Sequence, residues 1–401
     1  MTKLIDQEID LLIIGGGFIG VTLMCALKTS SYSTLLLDHN DFPLTQTANF
    51  DSPVLALAPT SIEILRTLDI LPLVQRLAPI KFIQISALGH FGNTRLKQAD
   101  TPLGMVVEMP DLYKAIVQLL DLTKILAPAK LLAIDQNLGI VTIKYQGKEQ
   151  LIKAKLIIAA DGTDSIARSF SRLTTNITDF NQYAITANLK LTRPHNGYAY
   201  ERFTPHGPLA LLPMTDNRVS LVWTLIPAAA QNLLAVESQE FLTNLQHAFG
   251  YRLGRFMQVG KRSIFPLRQV VMDSPICWPL VFIGNAAHTI HPVAGQGFNL
   301  GLRDLATLVQ CIGQYGLHKE MLNIYQNRRL ADQKAIVNLT SGFIKIFSSN
   351  LPGISLMRSL GLIAIDNIPL LQKMLMHYLC GFANPTPDFA CGIACRNINI
   401  S

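Results

Sequence analysis

Charged residues are scarce in this sequence of 401 residues. Asp, Glu, Lys and Arg make up 15% of it, whereas hydrophobic residues make up 49%. Basic residues form no run and no strip interleaved with aromatic residues, which argues against a nucleic-acid partner. The net charge of +7 and the pI of about 9.1 suit an anionic partner, such as a lipid surface or a polyphosphate group, without selecting either.

Cysteine is scarce as well. The six cysteines are scattered, no two CxxC pairs of a zinc site occur, and only Cys391 and Cys395 lie close together. We therefore expect free thiols in a reducing cytoplasm and no bound metal. A Ser/His/Asp triad, a paired-carboxylate signature and a P-loop lysine are also missing. The enzyme classes that depend on them are therefore disfavoured.

Long hydrophobic runs are missing too. The apolar run at residues 11–17 is too short for a secretory signal and has no basic flank. The most apolar long stretch, residues 351–379, is interrupted by charged residues and by Pro369, so no spanning helix is predicted. These features predict a cytoplasmic protein.

The sequence begins with the pattern of a strand, a helix and a strand. Continuous apolar runs, typical of parallel strands buried on both faces, occur at residues 9–14, 34–37, 156–160 and 280–283. Helical spacing follows the first and the last of them. Between them lie segments typical of an antiparallel sheet, including a hairpin turning at Thr215-Asp216-Asn217. The pattern predicts an α/β fold in which a parallel-sheet domain is interrupted by an antiparallel one, with a helical segment at the end.

The first motif is the GxGxxG sequence Gly15-Gly16-Gly17-Phe18-Ile19-Gly20, between the first strand and the first helix. Gly15 permits a tight turn, Gly17 lets the backbone approach a pyrophosphate, and Gly20 lets helix and strand pack closely. Asp38 lies 18 residues after Gly20, at the end of the second strand, where a carboxylate accepts hydrogen bonds from an adenosine ribose. The motif predicts a Rossmann-type domain with a dinucleotide site but does not distinguish FAD from NAD.

The second motif, Ala160-Asp161-Gly162, follows another buried strand. Asp-Gly alone is ordinary turn chemistry, but ligands of open α/β sheets bind at the carboxyl ends of such strands.

The third motif is residues 284–301, GNAAHTIHPVAGQGFNLG, and it is the most specific stretch of the sequence. Core packing does not explain its glycines, Asn285 and Pro292 between a buried strand and a helix. A helix opening at Gly297 would direct free amides at a negative group. Histidine side chains ordinarily suit acid–base chemistry near neutral pH, yet packing beside a ligand explains His288 and His291 better.

Together these motifs resemble the FAD-dependent aromatic hydroxylases of the para-hydroxybenzoate hydroxylase class, and within it the ubiquinone-biosynthesis hydroxylases. The resemblance covers nearly the whole chain, up to about residue 385. The segments ERFTPHGPLALLPM (residues 201–214), SLVW (220–223) and GKRS (260–263) favour the branch that hydroxylates 2-polyprenyl-6-methoxyphenols.

The resemblance implies FAD as the cofactor and NAD(P)H as the co-substrate. The first motif would bind the ADP half, the second would support the pyrophosphate and the nicotinamide path, and the third would hold the ribityl chain and the flavin. The implied cofactor-binding residues are Gly15, Gly17, Gly20, Asp38, Lys114, Asp161, Gly162, Gly284, Asn285, Pro292, Gly295, Gln296, Gly297 and Asn299. No side chain is assigned as catalytic, because the flavin carries the chemistry.

Two positions depart from the family pattern. Asn285 stands where the wider class has an Asp that bonds a ribityl hydroxyl, and an Asn can make a similar bond without charge. Pro53 stands where the family usually has an Arg that helps to hold FAD. Lys114 or Arg66 are candidates to replace that cation.

The implied reaction is hydroxylation of a polyprenylated (methoxy)phenol in ubiquinone biosynthesis. NAD(P)H reduces FAD, O2 adds to the reduced flavin, and the C4a-hydroperoxide delivers oxygen to the ring. Because water must be excluded, we expect an apolar pocket. The candidates for its lining are Leu211, Pro213, Trp223, Pro292 and Val293; for the first three, plain sheet core is the alternative.

The resemblance and the strand pattern together predict the domain boundaries. The FAD-binding domain takes residues 1–80, 105–175 and 271–330, the antiparallel substrate domain takes 81–104 and 176–270, and a helical region takes 331–401.

The helical region also suggests how a lipid substrate arrives. Leu356, Leu360 and Ile363 share a helical face, with Lys345, Arg358 and Lys373 as nearby cations. We expect peripheral docking on the inner face of a bacterial membrane, with a complex of ubiquinone-biosynthesis proteins as a further partner. The alternative is that these helices only cover the core.

Two other functions fit the same motifs. One is a flavin-dependent reductase of prenyl chains, which would not need oxygen. The other is a non-enzymatic quinone-lipid carrier or assembly scaffold that has lost firm FAD binding, as Pro53 suggests.

Overall fold

A computed structural model of the chain describes residues 6–42, 47–98, 101–292, 295–348, 354–381 and 386–393. Val293 and Cys395, named above as a pocket residue and as part of the cysteine pair, lie outside these ranges.

The described residues form the following strands: β1 (Gln7–Ile14), β2 (Thr34–Leu37), β3 (Val54–Leu57), β4 (Leu77–Ile80), β5 (Phe82–Ala87), β6 (Asn93–Lys97), β7 (Gly104–Glu108), β8 (Ile125–Leu126), β9 (Ala129–Asp135), β10 (Ile140–Tyr145), β11 (Lys148–Ala159), β12 (Thr175–Leu191), β13 (Tyr198–Thr204), β14 (Gly207–Met214), β15 (Arg218–Leu225), β16 (Phe256–Val259), β17 (Ser263–Met272), β18 (Ile276–Cys277), β19 (Leu280–Phe282) and β20 (His288–Thr289). They also form the following α-helices: α1 (Phe18–Ala26), α2 (Pro59–Thr67), α3 (Met109–Val117), α4 (Ile166–Phe170), α5 (Pro227–Ala235), α6 (Ser238–Phe249), α7 (Gln296–Tyr315), α8 (Lys319–Ser348), α9 (Ile354–Asn367) and α10 (Pro369–Leu379).

The first sheet has a parallel centre, in which β19, β11, β1 and β2 are neighbours in that order. The hairpin β9–β10 extends it by pairing antiparallel with the first half of β11. Leu11 and Ile13 of β1 are buried in one core beside α1 and α7, whereas Leu12 and Ile14 are buried in a second core on the other face. Both faces are therefore covered, which explains the continuous apolar run of this strand.

The second sheet has the order β20-β17-β12-β15-β14-β13-β5-β6, with β16 also on β12. Its pairs are antiparallel except for β13 and β5, which run parallel. The turn between β14 and β15 places Asp216 and Asn217 at φ of 59° and 55°, as the predicted hairpin requires. The predicted fold class, a Rossmann-type domain interrupted by a mainly antiparallel sheet and followed by helices, is confirmed.

A small sheet, β3-β7-β4, and the helices α9 and α10 complete the structure around one face of the second sheet. The Thr94 hydroxyl of β6 donates to the Leu362 carbonyl of α9 at 2.7 Å. Leu362, Leu375 and Leu379 of these helices pack with residues of β4, β5 and β13 in a common core. No helix in the described part of the chain is long and apolar enough to cross a membrane. The predicted division into domains stays a prediction.

Candidate cofactor and substrate site

The three motifs lie together because they follow three neighbouring parallel strands. Ile14 of β1 aligns with Ala159 of β11, which aligns with Phe282 of β19. Each motif begins one or two residues after these positions. The motifs therefore meet at the carboxyl edge of the first sheet, where open α/β sheets bind their ligands.

A cavity of about 550 Å³ opens at this edge. The motifs supply one wall, with residues that include Gly17, Gly162, Asn285, Pro292, Gly295, Gln296, Gly297 and Asn299. One face of the second sheet supplies the opposite wall, β3 contributes Val54 to Leu57, and α10 contributes Leu375 and Leu379. The cavity thus has a motif side rich in backbone amides and a sheet side rich in hydrocarbon.

The glycines of the first motif have distinct roles. Gly15 has φ of 110°, which favours glycine. A Cβ on Gly20 would lie 1.8 Å from the Gly15 carbonyl oxygen, so Gly20 is required for packing α1 on β1. A Cβ on Gly17 would meet nothing within 4 Å and would instead occupy cavity space. The space above Gly17 is where a pyrophosphate would approach.

Asp38 holds the first motif through its carboxylate. Its Oδ2 accepts from the Gly16 amide at 2.6 Å, and its Oδ1 accepts from the Asn40 amide at 2.7 Å. The Tyr113 hydroxyl of α3 donates to the Gly16 carbonyl at 2.9 Å. Tyr113 is a supporting residue that sequence reasoning missed, because it lies 97 positions away along the chain.

The second motif is tied to the third by Arg168. Its guanidinium donates to the Thr163 carbonyl at 2.6 Å and to the Ala286 carbonyl at 2.9 Å. The Asp161 carboxylate accepts from the Ala167 amide at 2.9 Å and so holds the start of α4. Gly162 has φ of 84° and open space where a Cβ would stand.

The third motif brings the N-terminus of α7 to the cavity. Gly295 precedes the helix with φ of 61°, and no side chain caps the first turn. A Cβ on Gly297 would have only ordinary contacts, 3.7 Å from Ile290 and 3.9 Å from Asn285 Oδ1. Uncapped amides and the positive end of the helix dipole favour a negative ligand group at this point.

Two residues of the third motif are engaged by the protein itself. Asn299 accepts from the Ala58 amide at 2.8 Å and donates to the Ala56 carbonyl at 2.9 Å, which fastens β3 to α7. The Gln296 amide donates to the Leu379 carbonyl at 3.2 Å, which fastens α10. Both residues line the cavity, and both also position its walls.

A buried ionic network lies directly behind the third motif, and sequence reasoning missed it. Asp304 of α7 accepts from the Gly284 amide at 3.2 Å, from His288 and from Arg329 of α8, the last at 2.8 Å. Asp332 joins Arg329 to Arg303 at 2.7 and 2.8 Å. Burial alone would raise the pKa of Asp304, but the cations beside it hold that pKa well below its usual range. His288 is thus a buried partner of Asp304.

The candidate cations lie away from the cavity. Lys114 is exposed on α3, and Arg66 is exposed and paired with Glu63. Pro53 is exposed, and its carbonyl accepts from the Met109 amide at 2.8 Å. Among the described residues that line the cavity there is no Lys, Arg or His. Backbone amides and helix termini are therefore left to hold a phosphate group.

The residues of the second sheet that line the cavity differ from the three that the sequence suggested. Leu211 and Trp223 are buried in a core beneath α5 and α6, and Pro213 shares the parity of Leu211. The cavity is lined instead by Ala210, Leu212 and Val222. Because side chains alternate along a strand, Leu211 and Trp223 face the core, which is the alternative named for them, and the cavity-facing positions lie one residue away on each strand. Pro292 lines the cavity as expected.

These features fit FAD. The space above Gly17 and Gly297 admits a ligand where any side chain would intrude. Two uncapped helix N-termini meet one cavity, and the carboxylate of Asp38 stands at the end of β2. The sequence profile of the FAD binding domain family matches residues 8–340. The chain belongs to this family, and FAD is its cofactor.

Sequence relatives narrow the class. The chain is 32% identical to ubiquinone hydroxylase UbiL of Rhodospirillum rubrum, over 96% of this chain and 92% of that protein. It is 29% identical to 3-demethoxyubiquinol 3-hydroxylase of Escherichia coli, over 94% and 99%. The protein is an FAD-dependent monooxygenase of the ubiquinone-biosynthesis hydroxylase family, as the resemblance implied.

Solved structures show the same fold at low identity. The p-nitrophenol 4-monooxygenase PnpA of Pseudomonas putida superposes with a TM-score of 0.76 at 15% identity, over 94% of this chain and 99% of that one. The OxyS anhydrotetracycline hydroxylase of Streptomyces rimosus gives a TM-score of 0.69 at 18% identity, over 95% and 77%.

Proposed function

We propose that this enzyme hydroxylates the aromatic ring of a polyprenylated (methoxy)phenol in ubiquinone biosynthesis. The observation that carries the proposal is the two-sided cavity. Its motif side fits FAD, and its sheet side offers Ile83, Ile85, Ala210, Leu212 and Val222 to an apolar ring and chain. The relatives named as ubiquinone hydroxylases support the same substrate class.

The protein chain and its cofactor have separate roles in the proposed reaction. FAD supplies the redox chemistry when bound, taking a hydride from NAD(P)H and activating O2. The strand ends and the α7 N-terminus hold it through backbone amides. The hydrocarbon wall of the second sheet orients the ring and keeps water away from the reacting atoms.

We further propose that the lipid substrate enters from a membrane surface beside α10. Leu375 and Leu379 of this helix line the cavity, whereas Leu370 and Met374 are 66% and 53% exposed. Leu360 of α9 is 52% exposed as well. An apolar helix face in continuity with an apolar cavity suits a helix lying in the interface plane. Lys345, Leu356 and Arg358, named for this role above, have side chains outside the described part of the structure.

The reaction is tested by product identification. FAD-loaded protein is incubated with a short-chain 2-prenyl-6-methoxyphenol, NAD(P)H and isotopically labelled O2. The masses of the products are then measured by mass spectrometry. We expect a product that carries one labelled oxygen on its ring. Oxygen-independent reduction of the prenyl chain would favour the reductase, and binding without turnover would favour the carrier. Either outcome contradicts the proposal.

A further inference from the structure

An isolated carboxylate stands on the hydrocarbon wall of the cavity. Glu201 lies on β13 between Ile85 of β5 and Ala210 of β14, its direct cross-strand partners. Glu201 and both of these partners line the cavity. No other acidic residue lines it within the described part of the chain.

Among the residues that the structure describes, this carboxylate has no partner. In the part of the chain that the structure describes, the Glu201 side chain makes no hydrogen bond and no ion pair. Arg202, its neighbour in sequence, points to the opposite face, where it donates to the Ala248 carbonyl at 2.9 Å. A carboxylate on an apolar surface is costly unless a ligand satisfies it.

The groups around Glu201 leave it unneutralised. The neighbouring strands β5 and β14 contain no titratable residue. Tyr200 also lines the cavity, but its ring packs edge-on against Phe249 in the core on the other face of the sheet. On α10 the side chains of Lys373, His377 and Tyr378 are exposed. Burial therefore acts alone and raises the pKa of Glu201 to about 7.

We infer that Glu201 binds the hydroxyl group of the phenolic substrate and accepts its proton during ring oxygenation. The inference rests on the proposed function. The phenol O–H bond breaks, an O–H bond to the carboxylate forms, and the electron pair left on the phenol oxygen makes the ring more electron-rich. When the ring loses its own hydrogen to water as a proton, the Glu201 proton returns to the phenol oxygen. A carboxylate whose pKa lies near neutrality is a better base for this step than an ordinary one.

The first test needs no variant. The affinity of FAD-loaded protein for a short-chain 2-prenyl-6-methoxyphenol and for its methyl ether is measured by equilibrium dialysis, from pH about 6 to about 8, across the pKa of about 7. A hydrogen bond to a charged acceptor is stronger than one to a neutral group by ~1 kcal/mol, so phenol affinity should rise roughly fivefold. Affinity for the methyl ether, which has no proton to give, should stay constant. A flat profile for both ligands would overturn the inference.

The second test uses Glu201→Gln, with Glu240→Gln as the matched control on the exposed surface of α6. At pH about 8, Glu201→Gln should bind the phenol roughly fivefold more weakly and should bind the methyl ether like the parent protein. Its phenol affinity should no longer depend on pH. Equal weakening for both ligands would assign Glu201 a merely structural role and overturn the inference.

The outcomes keep the two proposals apart. If the parent protein binds neither ligand although it is loaded with FAD, the proposed substrate class fails, and the inference fails with it. If it binds both ligands and hydroxylates the phenol, while Glu201→Gln behaves like Glu240→Gln, only the role of Glu201 fails.

Discussion

At the scale of single residues, two glycines of one motif are needed for opposite reasons. Gly20 is required because the protein itself fills the space where a side chain would stand. Gly17 faces open cavity space, and the fold alone does not require it. A substitution at Gly20 should therefore lower the stability of the fold, and one at Gly17 should lower FAD binding.

We predict that Gly17→Val abolishes FAD binding and leaves the apoprotein folded. The valine side chain would stand where the backbone must meet the pyrophosphate. FAD content is measured by absorbance and folding by circular dichroism. Gly361→Val, at an exposed helical position with open space, is the matched control and should load normally. Gly20→Ala should instead lower the free energy of unfolding by roughly 1–3 kcal/mol or more. Wild-type FAD content in Gly17→Val would show that the cofactor lies elsewhere.

At the scale of strands and helices, the sequence predicts where a strand lies better than it predicts which face of the sheet each side chain points to. The strands before the three motifs are recognisable because each is a mainly apolar run followed, directly or after one residue, by glycine. In β14 and β15, however, both faces are apolar, so Leu211 and Trp223 look as suitable for the cavity as Ala210 and Val222. Only the helices packed on one face decide which set is core, and these come from later in the chain.

Sequence reasoning missed several polar residues for the same reason: their roles depend on packing between distant parts of the chain. Asp304 acts through Arg329, 25 residues away, and Tyr113 acts through Gly16, 97 residues away. In the sequence, Glu201 is only one residue of a segment that resembles the family. The sheet is what places it in the cavity. A local pattern does not contain such pairings, because tertiary packing creates them.

A further prediction concerns the docking of α9 and α10 on a membrane surface. Changing Leu360, Leu370 and Met374 to Ser should lower partition onto anionic liposomes roughly tenfold or more, because about three exposed apolar side chains no longer enter the interface. The control changes Leu138, Ile177 and Met257 to Ser, which are 60%, 64% and 63% exposed elsewhere on the surface. Co-sedimentation is measured at low and high salt with FAD-loaded proteins. Equal sedimentation of both variants would refute docking through α9 and α10.

At the scale of the whole molecule, the ionic network behind the third motif joins α7, α8 and the cofactor edge. Asp304 and Asp332 have pKa values below the usual value of about 4 because the buried cations beside them outweigh the effect of burial. A carboxyl whose pKa is lower in the folded state stabilises the fold above its unfolded pKa. That stability is lost as the pH falls from about 4 through the folded pKa.

We therefore predict that the free energy of unfolding declines steeply below pH about 4 in the parent protein and less steeply in Asp304→Asn. At neutral pH this variant should be less stable by roughly 3–5 kcal/mol, because Arg329 would remain buried with an incomplete set of charge partners. Denaturant unfolding across pH measures both effects. Asp135→Asn, at the exposed end of β9, is the control and should follow the parent. Parallel pH profiles for Asp304→Asn and the parent would assign the acid sensitivity to other groups.

The separation of the cavity into a motif wall and a sheet wall has an evolutionary consequence. Mutations at Ala210, Leu212 or Val222 change the shape offered to a substrate and leave the strand ends that hold FAD untouched. Selection for a new ring therefore acts on alternate residues of one sheet face, while the cofactor half is inherited intact. Enzymes named for nitrophenol and for tetracycline chemistry share this fold at 15% and 18% identity.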